Sequence, residues 1–218
     1  MKELLYRLQK CIDSRFPSTA ASLNLGANET EIAVLEKNIG AQLPENVRDL
    51  YRWHNGQSEA FRGIGLFFGL PFLSIDKVIQ HLNFECSVLD EASPEELEKW
   101  SQDYTCLPVG TIKQAVMNKS WIPLADDAAG SYLGLDFDPG VHGDVAQVIS
   151  FGGREFTRVR AAENLVKFLG NLLFMYEQGQ YELIQEDDDE FSIASVSPST
   201  NHFLDYLRMK AQTKNNHS

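Results

Sequence analysis

The apolar residues of this chain change period about half-way along, and that change restricts the fold more than any other feature. Up to residue 82 they fall at helical spacing: Leu4, Leu5, Leu8, Cys11 and Ile12; then Ile32, Leu35 and Ile39; then Val47, Leu50 and Tyr51; then Ile75, Val78, Ile79 and Leu82. From residue 121 the pattern is that of strands. Trp121–Ala125 is apolar throughout, and Leu133, Leu135 and Phe137 alternate, as do Val145, Gln147, Ile149 and Phe151, and the run Phe156–Arg160. A period of about 3.6 lines one side of a helix, whereas a period of two lines one face of a strand. Helical spacing returns over Glu163–Gln178, with Leu165, Phe168, Leu169, Leu172, Leu173 and Tyr176 as a broad stripe. Helices, then strands, then a helix, without regular βαβ alternation, predict an α+β fold with a largely antiparallel sheet.

Local punctuation sharpens the boundaries. Phe16-Pro17-Ser18 stops a first helix over residues 3–15, and a small polar connector runs to Gly26. Asn28 with Glu31 three residues on reads as a capping box, and Gly40 suits the left-handed end of that helix. Leu43-Pro44 opens a helix that Asn55-Gly56 closes. Ser74 caps the next one, and Ser93-Pro94-Glu95-Glu96 combines a cap, a first-turn proline and a glutamate at the third position. The run Ile64–Leu70 is short, apolar and glycine-bearing, which predicts a buried strand. Pro123 favours an edge or strand-end position. Glu186–Glu190 is a like-charge block, expected as a linker or loop; Phe203, Leu204 and Leu207 permit a short helix, and Lys210–Ser218 reads as a polar, frayed end.

Charge narrows the partners. Nineteen Lys and Arg against 31 Asp and Glu give a formal charge of −12 over 218 residues. Nucleic-acid binding draws on clustered cations, so that class is disfavoured. The acidity is uneven, since Glu85–Asp103 holds seven acidic residues and one basic one. Such a run is a solvated helix surface or a face for a basic protein. The longest uncharged apolar stretch, Gly63–Leu73, has 11 residues, and a membrane span needs about 20. Three widely spaced cysteines, Cys11, Cys86 and Cys106, form no disulfide or zinc pattern, and Met1–Arg7 mixes charged with apolar residues unlike a secretory signal. A reducing, cytoplasmic setting is expected.

The familiar catalytic signatures are missing: no G-x-S-x-G, Walker loop, H-E-x-x-H or dinucleotide fingerprint occurs. One constellation bears chemistry, Asp126-Asp127 followed by Asp136-Phe137-Asp138-Pro139-Gly140-Val141-His142-Gly143-Asp144. Oxygen donors at this density suit a hard cation, but Gly140 replaces the third ligand of a calcium loop and the terminal glutamate is lacking. The residues equally suit two turns bounding a strand. Trp53-His54-Asn55-Gly56 reads as a helix end whose Trp53 is either half-buried or an interface anchor.

Glu31-Ile32, Leu35-Glu36, Gly40, Leu43-Pro44, Leu50-Tyr51 and His54-Asn55-Gly56 resemble the N-terminal signature of the SUKH superfamily. The superfamily contains Smi/Knr cell-wall-assembly regulators of fungi and bacterial toxin-immunity proteins. The aromatic-glycine stretch ending in Leu73-Ser74, then Trp121–Ala125, Gly130, Leu135-Asp136, Pro139, Gly143 and Gln147-Val148, extend the resemblance in order across residues 28–176. It implies a single α+β domain with a curved mixed sheet and packed helices, no catalytic residues and no cofactor or metal. It departs from the pattern in three places: a helical extension at 1–27, an acidic insertion at 83–106 within a domain over 28–184, and a tail over 185–218. Ala128-Ala129 also stand where relatives often carry glycine.

The function expected is therefore non-enzymatic protein binding: an immunity protein that neutralises a basic toxin domain, or a related regulatory scaffold. Its contacts are expected through Trp53, Glu91, Glu95, Glu96, Asp126, Asp127, Asp138 and Asp144. The alternatives are a metal-assisted hydrolase using Asp136, Asp138 and His142, and an adaptor acting through its acidic tail. The oligomeric state is not legible.

Overall fold

The computed structural model describes residues 1–58, 63–187 and 190–215, the side chains of 186, 187, 190, 191, 214 and 215 excepted. The elements run α1 (Lys2–Arg15), α2 (Pro17–Ser22), α3 (Glu29–Ile39), α4 (Glu45–Trp53), α5 (Ile75–Glu91), α6 (Pro94–Ser101), β1 (Thr105–Leu107), β2 (Trp121–Asp126), β3 (Ser131–Asp136), β4 (Gln147–Gly152), β5 (Thr157–Ala162), α7 (Leu165–Glu177), β6 (Tyr181–Asp187), β7 (Glu190–Val196), β8 (Ser199–Thr200) and α8 (Phe203–Asn215). The class is α+β. The described residues divide into two compact units, residues 1–75 with 166–206, and residues 76–165 with 207–218.

In the first unit α1 buries Leu5, Leu8, Cys11 and Ile12, α3 buries Ile32 and Leu35, and α4 buries Val47, Leu50 and Tyr51, each stripe at the spacing read in the sequence. Asn28 closes a capping box with Glu31, and Gly40 takes a left-handed φ of 67°. Arg48 and Arg52 tie α4 to α3 through Glu29 and Glu36, at 2.7 and 3.0 Å from Arg48 and 2.6 Å from Arg52 to Glu29. Hydrogen bonds from these guanidinium groups hold the Glu29 carboxyl down to about 2.

Residues 64–70 are buried except for Gly69, as expected of an apolar run, but are not a strand. They double back on themselves, with Gly69 N–H donating to Gly65 O and Phe67 N–H to Leu70 O, and with Phe68 at φ 54°. The turn sits among aromatic rings: Phe68 stacks on Tyr176 with centroids 5.7 Å apart, and Phe203 lies 5.2 Å from Phe68. The Tyr176 hydroxyl accepts from Phe68 N–H at 3.0 Å and donates to Leu66 O at 2.8 Å, satisfying buried backbone that no sheet serves. The polar connector after Phe16 contains the short helix α2 rather than an irregular link.

The acidic coda also differs from expectation. Instead of a linker, β6 and β7 pair antiparallel, with Tyr181 opposite Ser195, and β8 completes a three-stranded sheet ordered β6-β7-β8. Asp188 and Asp189 of the like-charge block lie outside the described residues. The tail continues as α8 to Asn215.

The second unit holds a five-stranded sheet ordered β1-β5-β4-β3-β2, with β1 parallel to β5 and the other neighbours antiparallel. It is mixed and mostly antiparallel, as the periodicity and the resemblance predict. Trp121, Tyr132, Ile149, Phe151 and Ile112 pack as its core cluster. Pro123 is accommodated because β2 is an edge strand. Val145 and Phe156, counted as strand residues from the alternation, instead lie exposed in the loops before β4 and β5.

Candidate functional site

Asp136, at the end of β3, is fully buried. Its Oδ1 accepts from Trp121 Nε1 and from Asp138 N–H, both at 3.0 Å, and its Oδ2 accepts from Gln147 Nε2 at 2.8 Å. Burial pushes its carboxyl up, and these three donors pull against that. Gln147 Nε2 also donates to Thr111 O at 2.7 Å, while its Oε1 accepts from Asp144 N–H at 3.2 Å. The hub thereby binds two loops, 108–113 and 137–146, to the sheet. They are further joined by Gly140 N–H to Thr111 O and His142 N–H to Gly110 O. A Cβ on Gly143 would lie 2.1 Å from Thr111 O, which is why this position takes glycine.

The remaining acidic residues of the constellation are also engaged. Asp126 pairs with His81 Nε2 at 3.0 Å; the other ring nitrogen, Nδ1, meets the Tyr132 hydroxyl at 3.3 Å, and that hydroxyl donates to Glu85 at 3.1 Å. This carboxylate–imidazole–phenol–carboxylate chain fastens α5 to β2 and β3. Asp127 Oδ1 accepts from Ala129 N–H and Ser131 N–H at 2.8 and 2.9 Å, the side-chain turn chemistry expected of it. Asp138 is paired with Lys113 and accepts from Asn118 Nδ2 at 2.9 Å, which holds its carboxyl below the usual range. Asp144 pairs with Arg160 at 3.0 Å.

Asp136, Asp138 and His142 therefore do not converge: the first is enclosed, the second neutralised, and the third lies exposed. Among the described residues no group of three or more His, Cys, Asp or Glu is placed to hold a metal ion.

Sequence reasoning missed two buried charges beside this hub. Arg158 on β5 is fully buried, with Cζ 3.9 Å from the Tyr104 ring centroid and 4.8 Å from that of Trp121. It donates to the carbonyls of Ala115 and Val116, and burial lowers its guanidinium to about 10. Glu155, also buried, pairs with Arg208 of α8 at 3.0 Å; burial raises it to about 7, with the Arg208 charge opposing. The period-two pattern over Phe156–Arg160 carried no signal that an arginine there would be enclosed.

Part of the negative charge that has no ion pair lies on α5 and α6 and just beyond them. Glu91, Glu95, Glu98 and Asp103 are exposed and make no ion pair among the described residues. Glu96, expected as a contact residue, is exposed but accepts from Ser93 N–H at 2.9 Å in a capping box. In the first unit Trp53 is half-buried, its ring 4.5 Å from that of His54. Both nitrogens of His54 are engaged, Nδ1 with Asn24 O at 2.6 Å and Nε2 with Gln9 at 2.9 Å.

The most elaborate polar centre of this α+β protein thus ties its own loops to its sheet. Comparison with known proteins carries this further. Residues 26–171 match the SMI1 / KNR4 family (SUKH-1), and the chain belongs to that family. Similar curated proteins include the cell wall assembly regulator SMI1 of Saccharomyces cerevisiae, 28% identical over 81% of this chain and 40% of the relative. The cell wall biosynthesis/cell cycle regulator smi1 of Schizosaccharomyces pombe is 25% identical over 94% of this chain and 42% of its own length. The glucan synthesis regulatory protein of Neurospora crassa is 22% identical over 95% and 44% respectively. The chain thus spans less than half the length of each of these relatives. Among the described residues no helix is long and apolar enough to cross a membrane.

Proposed function

We propose that the chain is a non-enzymatic, regulatory protein-binding module of the cytoplasm that engages a basic protein surface through the exposed acidic residues of α5 and α6. The observation that carries the reading is a division of charge. The carboxylates of the 126–144 turns are consumed internally, whereas Glu91, Glu95, Glu98 and Asp103 face solvent without a counter-ion among the described residues. A fixed negative face of this kind speeds encounter with a cationic partner and makes association salt-sensitive.

The names of the three relatives above, regulators of cell wall assembly, of cell wall biosynthesis and the cell cycle, and of glucan synthesis, favour the regulatory arm of the expectation over toxin immunity. The test is replacement of SMI1 in Saccharomyces cerevisiae. The chain should restore growth under cell-wall stress, and a folded variant combining Glu91→Lys, Glu95→Lys and Glu98→Lys should not. Equal rescue by both chains would remove the acidic face from the mechanism. Absence of rescue by the unaltered, expressed chain would remove the wall-regulatory reading.

A further inference from the structure

The acidic helices also carry apolar side chains that the fold leaves uncovered. α5 turns Ile75, Val78 and Leu82 inward, and on its outer side Phe84 is 64% exposed and Val88 43% exposed. These two are four residues apart, so they are neighbours on one face, and Glu91 continues the same stripe. α6 contributes no buried residue at all, and its Trp100 is 40% exposed. Most helices in proteins owe their stability to a packed apolar face. α6 is held instead by its capping box, by Ser101 Oγ accepting from Val116 N–H at 2.9 Å, and by Gln114 Nε2 donating to Ser101 O and Tyr104 O. The end of α5 is tied to the same connecting segment, Asp90 pairing with Lys119 at 2.5 Å. The two helices, joined by Ala92-Ser93, are thus anchored to residues 114–119, with aromatic and branched side chains exposed among unpaired carboxylates.

We propose that the outer face of α5, with α6, is the seat of a cationic amphipathic helix, whose apolar stripe covers Phe84 and Val88 and whose lysines or arginines meet Glu91, Glu95 and Glu98. The proposal rests on the acidic-face reading above and specifies its partner. Charge alone would accept any polycation. Exposed apolar side chains followed along the chain by unpaired carboxylates select a segment that is basic and amphipathic at once, because apolar anchors carry most of the affinity while charges steer. A helix laid on a helix face offers such anchors at the i, i+3, i+4, i+7 positions.

The experiment uses the full chain and three labelled peptides of about 18 residues, five helical turns. One is a lysine–leucine peptide with leucines on one helical face, the second a scramble of the same composition without a face, and the third all lysine. Fluorescence anisotropy at low and physiological salt reads the affinities. The faced peptide should bind roughly tenfold or more tightly than the scramble, the scale of losing an interface anchor. Phe84→Ser with Val88→Ser should erase that preference and leave the all-lysine affinity unchanged. Val34→Ser, at a comparably exposed valine on α3, should change nothing. Equal binding of the faced and scrambled peptides, or equal losses from the α3 and α5 variants, would overturn the proposal while leaving the acidic face standing. Failure of all three peptides to bind at low salt would overturn both readings.

Discussion

Replacing Glu155 with glutamine should make the protein less sensitive to rising pH. The Glu155 side chain is 2% exposed, and its carboxyl sits at about 7 against an ordinary 4.5, burial being the largest cause and the nearby Asp127 charge adding to it. Arg208 at 3.0 Å and Arg158 pull the other way without restoring the ordinary value. A carboxyl raised on folding binds its proton more tightly in the native state than in the unfolded one. Its contribution is therefore complete below pH 4.5 and is lost as pH rises through about 7. The displacement corresponds to roughly 3 kcal/mol, as an order of magnitude. Glu155→Gln removes the titration and keeps an oxygen for Arg208 to donate to. Urea unfolding between pH 4.5 and 8, run on both proteins, isolates this group because the other carboxyls titrate alike in each. The unaltered chain should lose about 3 kcal/mol more than the variant across that range. Parallel profiles, or a variant clearly weaker at pH 8, would refute the reasoning and make the Arg208 pair stronger than the cost of burying Glu155.

Two further substitutions probe the loop hub and the Asp127 turn. Gln147→Leu removes the donor shared by Thr111 O and Asp136 and the acceptor for Asp144 N–H. It should cost about 2–4 kcal/mol, since buried polar groups are left unmet and one is a carboxylate, with faster amide hydrogen exchange confined first to loops 108–113 and 137–146. Ala128→Gly should stabilise by about 0.5–1 kcal/mol in urea titration, because Ala128 holds φ 56° in the Asp127 turn, where a Cβ is unfavourable.

The last site also shows what could be read from sequence. Of Ala128-Ala129, expected at positions suited to glycine, Ala128 takes left-handed backbone, which gives that expectation a local physical meaning. Helix starts were the most legible features, because a cap and its glutamate lie within one turn: Asn28 with Glu31, and Ser93 with Glu96, behave as their spacing predicts. In the five-stranded sheet β3, β4 and β5 followed from alternation and β2 from its apolar run, whereas β1, only three residues long, carried no such signal. The 181–200 sheet did not, because the like-charge run Glu186–Glu190 in the sequence masked the short apolar stretches on either side. The 64–70 turn is not the strand expected because an apolar run has the same composition whether its backbone is served by a neighbouring strand or by its own turn and the side chains of Tyr176, Gln57 and Thr19. The acidic residues of the 126–144 region were visible, but their partners, His81, Lys113 and Arg160, come from other elements and no local spacing announces them.

The enclosure of Asp136 and Gln147 bears on how kinship and recognition divide within such a chain. The Leu135-Asp136, Pro139, Gly143 and Gln147 pattern is spent on holding two loops in place. The outer sides of α5 and α6 carry none of that duty. A descendant could exchange Phe84, Val88, Glu91, Glu95 and Glu98 on those two helices while keeping the enclosed motif that makes its kinship legible.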